Sequence, residues 1–173
     1  MKKRLSLIQM DVHVNEVEYN YARVQELLSQ ALSEKPDIIV LPETWNTGFH
    51  PSKDLINISD RNGERTKALL STFAKEHNVN IVGGSVAVAK EDLVFNTSYA
   101  YNREGKLVGE YSKMHGFSPA KEDQYFASGT HTTHFELDGI PCSTVICYDI
   151  RFPELVRMAA LSNTCLLYTS PSP

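Results

Sequence analysis

The amino-acid sequence predicts an α/β fold built on a mixed β-sheet. In the first half of the chain, strand-like and amphipathic helix-like segments alternate, and hairpin-like pairs of strands follow in the second half. This order is typical of layered domains in which helices cover a sheet that also contains antiparallel strands. The 173 residues, 42% hydrophobic and 22% charged, suffice for one such domain with a sizeable core.

The first half contains three apolar strand-like segments and two helices. The strands are, in chain order, residues 4–10, 37–43 and 79–89, and the first of them is expected to be buried. The second strand is wholly apolar, as expected of a strand covered on both faces, and Gly83-Gly84 in the third indicates a bulge or a close backbone approach. Asn15 and Glu18 match a capping box before an amphipathic helix, and residues 64–77 match a second helix.

The second half contains two antiparallel pairs and a further helix. The four strands are residues 95–102, 106–113, 133–139 and 140–147. The second pair turns at Asp138-Gly139, a dipeptide that favours a tight hairpin turn. Pro153 then begins a helical segment, since proline is favoured in the first turn of a helix.

Charge and cysteine content narrow the classes of function. The net charge is −4, and the lysines and arginines are scattered, so we expect no nucleic-acid or membrane-surface partner. No apolar run approaches the roughly 18 residues of a membrane span, and Asp11 interrupts the N-terminal segment too early for a secretory signal. Three cysteines in no disulfide-like framework favour reduced thiols. We therefore expect a cytoplasmic protein.

Three predicted strands end on chemically competent side chains: Glu43, Lys113 and Cys147. Ligand sites of α/β sheets gather at the carboxyl ends of strands. A carboxylate can accept a thiol proton, a thiolate can attack a carbonyl carbon, and an ammonium can stabilise the oxyanion that forms. The three residues together therefore indicate a nucleophilic active site.

Each of these residues also has a purely structural interpretation. Cys147 at the end of an apolar strand fits a packed small side chain, Glu43 an ordinary turn residue, and Lys113 a surface cation. Cys142 lies five residues before Cys147 on the same strand, so it should point to the opposite face and into the core.

A metal site is the competing chemical use of the same region. The candidate ligands are His115, His131, His134, Cys142 and Cys147. No CxxC pair and no HExxH helix accompanies them, and neither nucleotide-binding glycine motif occurs. We therefore predict a site that needs no metal and no organic cofactor.

Three stretches of the sequence resemble the signatures of one enzyme family. LPETWNTGF (41–49), EYSKMHGF (110–117) and ICYDIRFPE (146–154) are similar to the three signature stretches of the nitrilase, or carbon–nitrogen hydrolase, superfamily. Their order and rough spacing also match. The resemblance implies an α-β-β-α sandwich, of which this chain would be the N-terminal part, and a full-length parent that forms a homodimer.

The resemblance also implies roles for individual residues. Glu43 corresponds to the general base, Lys113 to the cation that stabilises the oxyanion, and Cys147 to the nucleophile. Glu122 corresponds to a second family glutamate, although its position also fits an exposed loop acid. The backbone N–H of Tyr148 would be a further oxyanion donor.

Within the superfamily, the similarity is greatest to bacterial ω-amidases, which act on 2-oxoglutaramate. It implies hydrolysis of the terminal amide of a small 2-oxo acid, to a carboxylate and ammonia, through a cysteine thioester. Arg151 would suit the carboxylate of such a substrate, although pairing with Asp149 or Glu154 fits equally well. The alternatives are another hydrolase of the superfamily, acting on an aliphatic amide, nitrile or N-carbamoyl group, or a catalytically silent, truncated fragment.

The end of the chain departs from this resemblance. Residues 1–162 match an incomplete carbon–nitrogen hydrolase domain, whereas residues 163–173, NTCLLYTSPSP, do not resemble the family. We expect this tail to be artefactual or disordered. A short strand at residues 166–168 is the alternative, with Pro171 and Pro173 ending any pairing.

Overall fold

The computed structural model describes residues 2–49 and 51–170. The helices are α1 (Val17–Ala31), α2 (Leu55–Ile58), α3 (Glu64–His77) and α4 (Pro153–Leu161). The strands are β1 (Leu5–Leu7), β2 (Ile38–Val40), β3 (Asp60–Arg61), β4 (Asn80–Val82), β5 (Val86–Lys90), β6 (Leu93–Tyr101), β7 (Leu107–Ser112), β8 (His134–Leu137), β9 (Ile140–Ile146) and β10 (Leu166–Ser170). Short 3-10 turns lie at Ser118–Ala120, Glu122–Gln124 and Cys147–Arg151.

The strands form two mixed sheets. In the larger sheet the order is β1-β2-β4-β6-β5-β3, and β7 pairs with β6. Strands β1, β2 and β4 are parallel, whereas β6 is antiparallel to β4, β5 and β7. The smaller sheet has the order β10-β9-β8, with β9 parallel to β10 and antiparallel to β8. The predicted α/β fold with mixed sheets is confirmed.

Two apolar clusters define the layers. The first joins the inner faces of α1 and α3 to the larger sheet, with Leu28, Phe73 and Ile81 among its buried members. The second lies between the two sheets and includes Val82 from the larger sheet and Cys142 from the smaller. The strands that contribute to these clusters bury apolar side chains against a neighbouring layer, which is the main favourable contribution to folding.

Several predicted elements are confirmed. The helix at residues 64–77, the helix that begins at Pro153 and both antiparallel pairs are all present. The turn of the second pair has Asp138 at φ 51° and Gly139 at φ 77°, as its dipeptide suggested.

Three local predictions were wrong. Strand β1 is an edge strand among the described residues, with Leu7 73% exposed, because it pairs only with β2. Asn15 does not cap α1: it adopts φ 63°, and the helix begins at Val17 without a side-chain cap. Residues 79–89 form two strands with a break at Gly84, and β6 pairs with both of them.

The tail after residue 162 is partly ordered. Leu166–Ser170 forms strand β10, which runs parallel to β9 with Leu166 opposite Cys142. Tyr168 of this strand is buried between the sheets. This segment therefore differs from the disorder that we expected, while the expectation for Pro171 and Pro173 lies outside the described residues.

Candidate active site

Glu43 lies in a loop directly after β2 that the junction between β4 and β5 holds in place. The N–H of Ser85 donates to the Pro42 carbonyl at 3.0 Å, and the Ser85 hydroxyl accepts the N–H of Thr44 at 3.0 Å. These bonds fix the backbone on both sides of Glu43, whose side chain is fully buried. Glu43 is therefore a positioned interior acid, and its interpretation as an ordinary turn residue is wrong.

Lys113 and Cys147 each directly follow a strand. The N–H of Lys113 donates to the Asn96 carbonyl at 2.9 Å, which continues the pairing of β7 with β6 past the end of β7. Cys147 follows β9 and begins a 3-10 turn with φ 46°, a left-handed conformation that is uncommon for a residue with a side chain. This sharp turn leaves Cys147 half-buried at the end of the sheet.

Lys113 joins two buried carboxylates into one cluster. Its Nζ lies 2.9 Å from Glu43 Oε1, and 3.0 Å and 2.8 Å from the two oxygens of Glu122. The Glu122 carboxylate also accepts the N–H of Phe117 at 2.7 Å. Lys113 is only 3% exposed and Glu122 is fully buried, so their interpretations as a surface cation and a loop acid are wrong.

Burial and the neighbouring charges shift the pKa values of Glu43 and Lys113. Burial raises the pKa of Glu43 above its ordinary value and Glu122 adds to this, while Lys113 opposes it. Burial lowers the pKa of Lys113, but the two glutamates outweigh burial and hold that pKa above its ordinary value. The cluster therefore contains a firmly charged ammonium beside a carboxylate that accepts protons more readily than usual.

Sequence reasoning missed Asn96, which lies on β6 beside this cluster. Its Nδ2 donates to Glu43 Oε1 at 3.0 Å and to Glu122 Oε1 at 3.2 Å. Asparagine is depleted in strands, so an asparagine within the otherwise strand-favouring FNTSYAY segment was the available signal.

Asp149 was also missed as an organising residue of the cysteine turn. Its Oδ2 accepts the N–H of Ile146 at 3.0 Å and the hydroxyl of Tyr111 at 2.7 Å. Its Oδ1 accepts the backbone N–H of His115 at 2.9 Å and lies 2.8 Å from the ring Nδ1 of the same histidine. One fully buried carboxylate thus ties the turn at Cys147 to the segment that carries Lys113.

A cavity of about 620 Å³ opens in front of Cys147 and Lys113. Its lining residues are Phe49, Lys113, Phe117, Cys147, Tyr148, Ile150, Arg151 and Thr169. Tyr148 and Arg151 therefore share a cavity with the cysteine. Arg151 forms no ion pair within 4.0 Å among the described residues. Asp149, one of its expected partners, instead accepts hydrogen bonds from Ile146, Tyr111 and His115. Lys113 is the residue that belongs both to the cavity wall and to the carboxylate cluster behind it.

The candidate metal ligands are not brought together. Among residues 2–49 and 51–170, no group of three or more His, Cys, Asp and Glu side chains is arranged to hold a metal ion. Cys142 is buried between the sheets as predicted, and burial raises the pKa of its thiol to about 11. No helix in the described part of the chain is both long and apolar enough to cross a membrane.

The two-sheet α/β fold and the strand-end cluster of cysteine, lysine and carboxylates define the class of protein to which this chain should be compared. The Carbon-nitrogen hydrolase family matches residues 4–173. The chain belongs to the carbon–nitrogen hydrolase family, and the resemblance to the nitrilase superfamily is confirmed.

Among curated proteins, the chain is 37% identical over 170 residues to the 2-oxoglutaramate amidase of Bacillus subtilis (strain 168), covering 98% of this chain and 65% of that protein. It is 29% identical to a hydrolase of the agr operon from Staphylococcus aureus, of which it spans 64%. An omega-amidase of Saccharomyces cerevisiae is 27% identical, and the chain spans 63% of its length. The chain thus spans slightly less than two thirds of the length of these relatives.

Solved structures show the same fold. An amidase from Nesterenkonia sp. AN1 superposes with a TM-score of 0.87 at 21% identity, covering 98% of this chain and 67% of that one. A CN-hydrolase superfamily protein from Xanthomonas campestris, whose structure has an arsenic adduct in its active site, gives a TM-score of 0.78 at 30% identity. That match covers 88% of this chain and 56% of the other.

Proposed function

We propose that this protein hydrolyses a carboxamide, with Cys147 as nucleophile, Glu43 as general base, and Lys113 as the cation that stabilises the oxyanion. The observation that carries the proposal is the position of Lys113. Its side chain lines the cavity that contains Cys147 and also bridges the buried carboxylates of Glu43 and Glu122. Membership in the carbon–nitrogen hydrolase family supports the same reaction class.

The first half of the reaction makes a thioester. Glu43 accepts the proton of the Cys147 thiol, and the thiolate adds to the amide carbon. The Lys113 ammonium and the N–H of Tyr148 stabilise the oxyanion. The protonated Glu43 then donates its proton to the leaving nitrogen, so that the carbon–nitrogen bond breaks and ammonia departs.

The second half regenerates the cysteine. Glu43 takes a proton from a water molecule and the hydroxide adds to the thioester carbon. The carbon–sulfur bond then breaks to release the carboxylic acid, and the protonated Glu43 returns its proton to the Cys147 thiolate. The pKa of Glu43, raised mainly by burial, suits a group that must both accept and return a proton. Glu122 holds Lys113 from its other side and keeps the ammonium charged.

We propose a small 2-oxo acid with a terminal amide, of the 2-oxoglutaramate type, as the substrate. The name of the 37% identical relative from Bacillus subtilis supports this choice. Arg151 supports it independently, because this residue lines the same cavity as Cys147 and has no ion-pair partner among the described residues. A guanidinium can hold the substrate carboxylate with two parallel hydrogen bonds.

Ammonia release from 2-oxoglutaramate by the purified chain tests the reaction. We expect release by the unchanged chain and by Cys165→Ala, in which an exposed thiol is removed as a matched control, and none by Cys147→Ala. Equal release by the two cysteine variants would contradict the role of Cys147, and silence in all three would contradict amide hydrolysis by this chain.

A second arm of the same experiment tests the substrate class. Arg151→Met should raise the KM for 2-oxoglutaramate about tenfold or more, because one charge-assisted contact is lost, while the KM for uncharged propionamide stays unchanged. An equal change for both amides would contradict carboxylate recognition by Arg151 and leave the alternative of a general aliphatic amidase.

A further inference from the structure

We propose that Asn96 is a positioning residue that gives the two oxygens of the Glu43 carboxylate different tasks: Oε1 is held, and Oε2 exchanges the proton. This inference rests on the proposed function of Glu43 as general base. It adds a residue that the sequence motifs do not contain.

The hydrogen bonds to Glu43 are unevenly divided between its two oxygens. Oε1 accepts the Asn96 amide at 3.0 Å and the Lys113 ammonium at 2.9 Å. Oε2 is buried and has no hydrogen-bond partner among the described residues. A buried acceptor without a partner is unfavourable and needs an explanation, of which a catalytic role is one. Oε2 is therefore the oxygen that can receive a proton without first breaking a bond to Lys113.

Asn96 is well placed to impose this division. It lies within β6, where its backbone pairs with Ala87 of β5 and its carbonyl accepts the N–H of Lys113 at 2.9 Å. The side chain is 1% exposed, and its Nδ2 donates to both Glu43 and Glu122. Asn96 thus contacts the backbone of Lys113 at the end of β7 and also the two carboxylates, Glu43 and Glu122, that the Lys113 ammonium contacts.

The amide group has the chemistry that this position requires. The charged groups facing Glu43 are Lys113 at the end of β7 and Glu122 in a 3-10 turn. Asn96 adds two donor hydrogens without adding charge, whereas an aspartate would bring a third carboxyl group to a space with a single ammonium. Because Asn96 donates to Glu43, it favours the ionised form and limits how far burial raises the pKa of that carboxyl.

The first test measures unfolding by urea as a function of pH and needs no activity. The variants are Asn96→Ala and, as a matched control, Asn80→Ala. Asn80 is equally buried on neighbouring β4, but its Nδ2 donates to the Asp37 carbonyl rather than to a carboxylate of the cluster. Loss of the Asn96 donor raises the folded-state pKa of Glu43 further above its unfolded value.

An acid whose folded-state pKa is raised loses stability as pH rises from its unfolded pKa through its folded one. The destabilisation by Asn96→Ala should therefore grow as pH rises above the unfolded pKa of a glutamate, about 4.3. That of Asn80→Ala should stay constant over the same range, because the carboxyl group that Asn80 affects, Asp138, is already ionised there. A penalty of Asn96→Ala that does not change with pH would overturn the proposal, because it would show a purely structural role.

The second test measures the pH profile of ammonia release. Asn96→Ala should lower kcat and should move the acidic limb of the kcat/KM profile toward higher pH by about one unit. Asn96→Asp keeps the side-chain volume but replaces the amide donor with a carboxyl group. The acidic limb of its profile should therefore move further toward higher pH than that of the alanine variant. An unmoved limb in both variants would overturn the proposal.

The two tests separate the inference from the function on which it rests. If the unchanged chain releases no ammonia, the proposed function fails, while the urea measurements still decide whether Asn96 holds Glu43. If the unchanged chain is active and neither the limb nor the pH dependence of stability changes, amide hydrolysis stands and the role of Asn96 is wrong.

Discussion

The turn that presents Cys147 depends on a single buried carboxylate. Asp149 accepts hydrogen bonds from the backbone of Ile146, the residue before the cysteine, and from the backbone of His115. The His115 ring stacks on Phe152 with centroids 3.6 Å apart, so the partner of Asp149 is itself held in place. A residue two positions after the cysteine therefore determines the conformation of the cysteine turn.

At this scale we predict the effect of Asp149→Asn. The variant keeps one acceptor oxygen but replaces the other with an NH₂ group, which cannot accept hydrogen bonds. Some of the buried donors that contact Asp149 therefore lose their acceptor, and the free energy of unfolding should fall by about 3 kcal/mol. Urea denaturation at neutral pH measures this. The control is Asp123→Asn, in the exposed part of the loop after Lys113, which should change stability little. Equal effects of the two substitutions would contradict the role assigned to Asp149.

At the scale of elements, the break between β4 and β5 determines where Glu43 lies. Gly84 adopts φ 59°, and a Cβ at this position would lie 1.9 Å from the Pro42 carbonyl oxygen and 2.5 Å from that of Leu41. The backbone before Glu43 thus packs directly against Gly84. The break allows β4 and β5 to pair with the same strand while the chain between them supports the Glu43 loop.

The prediction for this element compares two glycines. Gly84→Ala combines an unfavourable φ with a clash against backbone atoms that cannot move separately, and it should destabilise the protein by about 3 kcal/mol or more. Gly139→Ala is the control, because Gly139 has φ 77° but nothing within 4 Å of the added Cβ, so only about 1 kcal/mol of backbone strain applies. Similar melting temperatures for the two variants would contradict the close packing at Gly84.

At the scale of the whole molecule, an ionic cluster joins the two sheets. Arg103, in the β6–β7 turn, contacts Asp138 in the β8–β9 turn at 2.8 Å and Asp37 before β2 at 2.9 Å. Lys3, before β1, lies 2.7 Å from Asp138. Four separate segments of the chain meet here, and the contacts span both sheets. Hydrogen bonds from Arg103 and Lys3 hold the pKa of Asp138 well below its ordinary value, against the opposing effect of burial.

A carboxyl with a lowered folded-state pKa stabilises the protein above its unfolded pKa, and this contribution is lost as pH falls toward the folded pKa. Asp138→Asn should therefore lower the free energy of unfolding by about 2 kcal/mol at neutral pH, and the difference from the unchanged chain should shrink on acidification below about pH 4. Urea titrations at several pH values measure this, with the exposed Asp92→Asn as control. A difference that persists unchanged in acid would contradict the ionic origin.

The sequence alone predicted most of the helices and strands and three residues of the candidate site. Apolar periodicity located α3 and turn signals located both antiparallel pairs, because side-chain spacing and turn residues are local properties of the sequence. The same reasoning placed Glu43, Lys113 and Cys147 at strand ends. The close backbone approach predicted from Gly83-Gly84 is confirmed, because Gly84 packs against the carbonyls of Leu41 and Pro42. The burial of β1 and the single strand over residues 79–89 were wrong, because the neighbours of a strand in a sheet leave no periodic trace in the sequence.

Only the tertiary structure determined which groups contact one another behind the strand ends. Asn96, Glu43 and Glu122 belong to three separate segments, and the hydrogen bonds between them exist because β6 lies in the middle of the larger sheet. Likewise, the partners of Asp149 come from β7, the following loop and β9. A linear sequence specifies residue types and local periodicity, whereas the partner of a buried polar group depends on how the sheets pack.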